Sequence, residues 1–145
     1  MRIAIASDHA GYSLKEEIKK HLTDKYEIVD FGTNSTESVD YPDYAKAVAR
    51  DVQNNGSLGI LVCYTGVGMS ITANKYHGVR AALVFNAENA ALAREHNNAN
   101  IICLGSKDVS VVDAIKFVDI FLNTDFLGGR HLRRVNKINE CEKDA

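Results

Sequence analysis

The sequence predicts an α/β protein, a three-layer doubly wound sandwich in which a five-stranded parallel sheet lies between two layers of helices. Three observations carry this. Short β-branched apolar runs alternate with amphipathic stretches five times along the 145 residues. The strand-like runs are apolar at consecutive positions, as in strands covered on both faces. The stretches between them are long enough for the right-handed helical crossovers that join parallel strands.

Arg2–Ser7 reads as the first strand, followed by a helix whose Leu14, Ile18 and Leu22 recur every four residues. Tyr26–Phe31 reads as the second strand and Gly32 to Tyr41 as a polar loop. Pro42 then opens a helix that carries Ala45, Val48, Ala49 and Val52, at a position where its missing N–H costs nothing. Leu58–Cys63 is a buried strand, and a turn at Gly66 and Gly68 leads to a helix near Ser70–Tyr76. Arg80–Phe85, a helix from about Ala87 to Asn97, Asn100–Leu104 and the apolar-faced helix Val109–Leu122 complete the alternation. Gly128 and Gly129 break the chain before a basic helical segment, about 130–140.

A hydrophobic share of 46% and a charged share of 25% fit one domain over 1–145 with one substantial core, and no linker or repeat divides it. The net charge of -2 supplies no basic surface for nucleic acid, so any phosphate binding must be local. No apolar run approaches membrane-spanning length, and Asp8 comes too early for a signal peptide, so a cytoplasmic location is expected, without a membrane partner. Cys63, Cys103 and Cys141 are odd in number and widely spaced, which predicts free thiols. The five histidines show no HxH or HxxxH spacing, and no metal is expected.

Ligands of doubly wound sheets bind beyond the carboxyl ends of the strands, which directs attention to Ser7–Gly11, Cys63–Ser70, the neighbourhood of His96 and Gly105–Lys107. In Cys63-Tyr64-Thr65-Gly66-Val67-Gly68-Met69-Ser70 the glycines permit a tight turn with several N–H groups aimed at one place. The helix start there favours an anion or a thiolate beside it. Cys63 thus fits a reactive thiol, and equally a small buried apolar residue. The turn is no dinucleotide fingerprint, because Ile71 stands where the third glycine belongs. Asp8 and His9 fit sugar or phosphate contacts, or for Asp8 a helix cap. His96, near a helix end, fits a plain complement to the helix dipole. Arg130 and Arg134 share a helical face, either as a phosphate site or as a solvated basic surface.

Five ordered segments, Ile5-Ala6-Ser7-Asp8-His9-Ala10-Gly11, Asp40-Tyr41-Pro42, Cys63 to Gly68 with Ala73-Asn74-Lys75, Glu95-His96-Asn97, and Gly128-Gly129-Arg130-His131 with Arg134, resemble the ribose-5-phosphate isomerase B family over nearly the whole chain. That family includes the galactose-6-phosphate isomerase subunits. The resemblance implies a flavodoxin-like (Rossmann-like) subunit and a homodimer, which can pair into a tetramer, with the active site between subunits and the C-terminal segment reaching the partner. It implies a metal-independent, cofactor-free interconversion of ribose 5-phosphate and ribulose 5-phosphate through a cis-enediolate, in the non-oxidative pentose phosphate pathway.

By the same resemblance Cys63 is the base at C2, His96 the acid that opens the furanose ring, and Thr65 the group that orients substrate oxygens. The amides of Gly66, Val67, Gly68 and Ser70 hold the enediolate. Asp8, His9 and Asn97 meet hydroxyls or phosphate, Tyr41 and Tyr64 border the substrate, and Lys107, Arg130, His131 and Arg134 surround the phosphate. Tyr64 stands where relatives carry a small residue, Lys107 where an arginine is usual, and Ser7 where cysteine or alanine is common, which bears on substrate preference. Galactose 6-phosphate or allose 6-phosphate as substrate, and a non-catalytic sugar-phosphate-binding module, are the alternatives.

Overall fold

The computed structural model describes residues 1–144. Its strands are β1 Arg2–Ser7, β2 Glu27–Asp30, β3 Leu58–Cys63, β4 Ala81–Leu83 and β5 Ile101–Gly105. Its helices are α1 Tyr12–Leu22, α2 Tyr41–Asn55, α3 Val67–Ala73, α4 Ala87–Asn97, α5 Val111–Asn123 and α6 Arg130–Glu140, followed by a 3-10 turn over Cys141–Asp144. All pairings are parallel and the order across the sheet is β2-β1-β3-β5-β4.

The predicted alternation is present, and β1, β3 and α4 keep their predicted limits. The order differs in one place from the flavodoxin series 2-1-3-4-5, because β5 takes the inner position and β4 the edge. Burial accounts for it. Ile101, Ile102, Cys103 and Leu104 are fully buried on both faces, whereas the three residues of β4 are only half-buried and suit an edge. The helix expected near Ser70–Tyr76 starts at Val67, because Gly66, at φ +79°, turns the chain straight into it. The fifth helix starts at Val111, because the Ser110 hydroxyl accepts the N–H of Asp113 as an N-cap.

Side chains alternate across the sheet and separate two cores. Ile3, Ile5, Ile60, Val62, Ile102 and Leu104 pack under α1, α4 and α5, while Ala4, Ala6, Leu61, Cys63, Ile101 and Cys103 pack under α2 and α3. Below α1 lies Lys15, fully buried, with its ammonium 2.7 and 2.8 Å from the two carboxylate oxygens of Asp30. Asp30 also accepts from Lys19 at 2.9 Å and from the Gly32 N–H at 2.8 Å. Burial alone raises the proton affinity of Asp30, but these donors outweigh it and hold the carboxyl below its ordinary range. The cluster fixes the start of the β2–α2 loop beside the end of β1, where Ser7 N–H donates to Gly32 O and Thr33 N–H to Ser7 O.

Candidate active site

At the carboxyl edge of the sheet, β3 ends on Cys63, whose side chain faces the α2–α3 layer and is almost closed to solvent. Gly66 N–H donates to Cys63 Sγ at 3.2 Å, and Val67 N–H to Thr65 Oγ1 at 3.3 Å. Two of the four amides expected to hold an anion are thus engaged with the thiol and the threonine, which they orient, and a third, the Ser70 N–H, donates to Gly66 O at 3.1 Å within α3. The N–H groups of Gly68 and Met69, in the first turn of α3, have no acceptor within the helix. Ser70 turns its hydroxyl back onto Val67 O at 2.8 Å. Cys103, one strand over, is a different thiol: burial, and then Cys63 nearby, push its proton affinity far up, so it is a core residue.

Neighbouring loops are tied to this turn. Ser106 N–H donates to Cys63 O and Lys107 N–H to Tyr64 O, both at 2.9 Å, while the Ser106 hydroxyl reaches Ala10 O at 3.0 Å. Asp8 is buried and accepts the Gly11 N–H at 3.0 Å, which closes the β1–α1 turn, while the N-cap of α1 itself is Gly11, without a side-chain cap. His9 Nδ1 accepts the Val39 N–H at 3.2 Å, which in the neutral ring leaves the proton on Nε2 and joins the β1–α1 and β2–α2 loops. Tyr41 lies across Gly68 so closely that a Cβ there would sit 2.4 Å from its ring. Tyr64 stands exposed above the turn, and the Lys107 ammonium, also exposed, is 3.4 Å from Asp108. A cleft of about 300 Å³, lined by Thr65, Phe85, Gly105 and Asp108 among others, opens beside it.

The remaining expected residues form a second cluster. α4 runs antiparallel to the strands, so His96 and Asn97 in its last turn lie at the amino edge of the sheet, just before β5 begins. There the His96 and His131 rings stack face to face, with centroids 4.2 Å apart and planes 15° from parallel. Arg130 and Arg134 flank His131 on α6. A little loss of solvent, then repulsion from His96, Arg130 and Arg134, holds His131 below the ordinary histidine range, with Glu95 opposing.

The two clusters are separated by the length of a strand. Cys63 pairs with Gly105 at one end of β5, and His96 precedes Ile101 at the other, a rise of about 13 Å. One chain therefore does not bring Cys63 and His96 to one small ligand. A cleft of about 570 Å³ between the α3–β4 turn and α6 is lined by Asn97 but by no residue of the Cys63 turn. Among the described residues, no three metal-ligating side chains converge, and no helix is long and apolar enough to cross a membrane.

Two residues escaped the sequence reading. Ser106 lies within a stretch singled out as following a strand, but nothing local marks its hydroxyl as a bridge. Arg80 is half-buried and spans the second cluster: its Nε donates to Asn98 O at 2.9 Å, and Nη1 lies 3.3 Å from both Gly78 O and Asn139 Oδ1. It braces the end of α4 against α6, and no motif announces it.

Residues 3–138 match the family model described as Ribose/Galactose Isomerase. The chain is 51% identical to a protein of Mycoplasma genitalium named probable ribose-5-phosphate isomerase B, over 99% of this chain and 97% of that protein. It superimposes on the Clostridium thermocellum ribose-5-phosphate isomerase B with a TM-score of 0.97 at 49% identity, covering 99% of each chain. The Mycoplasma genitalium ribose-5-phosphate isomerase B with bound ribulose-5-phosphate gives a TM-score of 0.95 at 50% identity, over 99% of this chain and 97% of that one.

Proposed function

The chain belongs to the ribose/galactose isomerase family, and from that premise we propose that it interconverts ribose 5-phosphate and ribulose 5-phosphate without a metal. The observation that carries the reading is the Cys63 thiol, held under a glycine turn by the Gly66 N–H at 3.2 Å with Thr65 beside it, in a chain half identical to a ribose-5-phosphate isomerase B that binds ribulose-5-phosphate.

In this reading His96 donates a proton to the ring oxygen as the C1–O bond breaks and the C1 hydroxyl releases its proton to water, giving the open aldehyde. Cys63, as thiolate, removes the proton from C2, and the electron pair moves to form the C1–C2 double bond of a cis-enediolate. Thr65 orients the two oxygens, and the free amides of the first turn of α3 face the developing charge. Cys63 then returns its proton to C1 while the C2 hydroxyl proton passes to the C1 oxygen, leaving C2 as the ketone. C1 is reduced by two electrons and C2 oxidised by two, so no external oxidant or hydride donor enters the balance. Asp8, His9 and Asn97 contact hydroxyls, Tyr41 and Tyr64 border the sugar, and Lys107, Arg130, His131 and Arg134 hold the phosphate.

The strand-length gap between Cys63 and His96 favours an active site shared by two copies of the chain. α6 then carries Arg130, His131 and Arg134, together with His96 from α4, to the Cys63 turn of the partner. We place this homodimer in the cytoplasm, where charged sugar phosphates are retained. The test is conversion of ribose 5-phosphate by the purified protein with chelator present, comparing wild type with Cys63→Ala. A base contributes about 10²–10⁴-fold, so the variant loses at least that much turnover. Full activity in the variant removes Cys63 as base, and an inactive wild type shifts the substrate to six-carbon sugar phosphates.

A further inference from the structure

We propose that His131 is a positioning residue for His96, holding the acid's ring by a flat stack, in addition to any contact it makes with phosphate. The proposal rests on the isomerase reading, in which His96 opens the sugar ring. An imidazole that delivers a proton needs a fixed plane, and in many active sites a carboxylate hydrogen-bonded to the second ring nitrogen supplies it. His96 has no such partner. Among the described residues no hydrogen bond reaches either of its ring nitrogens, nor either of those of His131. The contact that fixes its plane is the His131 face, 4.2 Å away and within 15° of parallel. A face contact of this kind leaves all four nitrogens at the edges of the pair, free to address a substrate.

The backbone around the pair is built to place it. Leu127 N–H donates to Glu95 O at 3.1 Å, pinning the α5–α6 connection to the residue before His96. Gly128 and Gly129, both at positive φ, then turn the chain into α6, and His131 N–H closes the turn onto Gly128 O at 3.0 Å. His131 thus arrives on His96 through the first turn of a helix whose far end Arg80 holds through Asn139. A residue serving only as a phosphate ligand needs none of this registration with α4.

The variants His131→Phe and His131→Asn separate the two roles, since phenylalanine keeps the flat face without a nitrogen and asparagine keeps a polar group without the face. Positioning by the stack predicts that kcat for ribose 5-phosphate falls about tenfold further in His131→Asn than in His131→Phe, whatever both variants lose with the imidazole nitrogens. KM rises in both if the nitrogen also meets phosphate. Equal loss of kcat in the two variants, or a rise in KM alone in both, overturns the proposal. A measurement on the wild type needs no variant to fold: the His96 ring protons should resonate upfield by tenths of a ppm and show cross-relaxation to the His131 ring. Absence of both effects also overturns it. If the wild type turns over no ribose 5-phosphate, the isomerase reading fails on its own while the resonance measurement still reports on the stack.

Discussion

The carboxyl-edge half of the proposed site is made largely of backbone, and the amino-edge half of side chains that meet only in the folded chain. At the Cys63 turn, Gly66 N–H, Val67 N–H, Ser106 N–H and Lys107 N–H set the positions of the thiol, the threonine and the neighbouring loop. At the α4–α6 corner, an imidazole stack and the Arg80 fork do the equivalent work. Backbone construction tolerates no added bulk, because the atoms it would meet cannot move aside. Side-chain construction yields more gradually, since each brace shares its load with others.

The largest effect should therefore come from one methyl group at Gly105. A Cβ there would lie 2.6 Å from both the carbonyl carbon and the oxygen of Thr65, which are main-chain atoms. Gly105→Ala is expected to push the Thr65 turn away from β5, lowering turnover by about 100-fold and stability by roughly 1–3 kcal/mol. Steady-state kinetics and denaturant unfolding measure the two together. Near-normal turnover would mean that the carboxyl-edge half is as compliant as the other.

Arg80→Gln probes the second half. It removes the fork that joins Asn98 O, Gly78 O and Asn139 Oδ1. The Leu127 pin and the His stack remain, so kcat/KM should fall only about tenfold. Arg80→Lys should recover little of it, because one ammonium cannot reproduce the fork. Full recovery by lysine would show that charge, and not geometry, is what the corner needs.

What the sequence could announce follows the same division. The strands were legible because burial on both faces forces apolar residues at consecutive positions, and Cys63 stood out because a tight turn requires Gly66 locally. Pro42 and the Gly128-Gly129 break marked helix starts for the same reason. The position of β5 inside β4 was not legible, since it depends on which strand buries more when all five are assembled. Arg80 and Ser106 were invisible because their partners lie 18 to 96 residues away along the chain, apart from the nearby Gly78 carbonyl. The family resemblance supplied His96 and the arginines of α6; their spacing alone fitted plain helix-end charges equally well.

Tyr41 and Gly68 offer a smaller test, in which backbone meets side chain. A Cβ at Gly68 would meet the Tyr41 ring, and that ring, 39% exposed, can swing outward. Gly68→Ala should thus lower kcat/KM by only about 3–10-fold, roughly the cost of 1 kcal/mol of side-chain displacement. In a Tyr41→Ala background the same change should cost less, because the clash is gone. Equal losses in both backgrounds would place the sensitivity in the α3 backbone itself.

The smallest effect on turnover is expected at a place that touches neither half. Arg2 Nη2 and Nε lie 2.8 and 3.1 Å from the two oxygens of Asp51, at the amino edge under β1 and two strands from β5. The Arg2 hydrogen bonds, against the opposing effect of burial and with help from Ser57 and Asn55, lower the Asp51 carboxyl from 3.8 to about 2. A carboxyl whose proton affinity drops on folding stabilises the protein above its unfolded value and loses that contribution as pH falls. The hydrogen bonds to the Asp51 carboxylate should therefore add stability at neutral pH that disappears as pH falls from about 4 to about 2. Arg2→Met should remove most of this acid-dependent stability while leaving neutral-pH turnover as in wild type. Unfolding curves that change equally with pH in the two proteins would mean that the carboxyl is not depressed by Arg2. A loss of turnover with the fold intact would mean that the β1 end of the amino edge is coupled to the α4–α6 corner across the sheet.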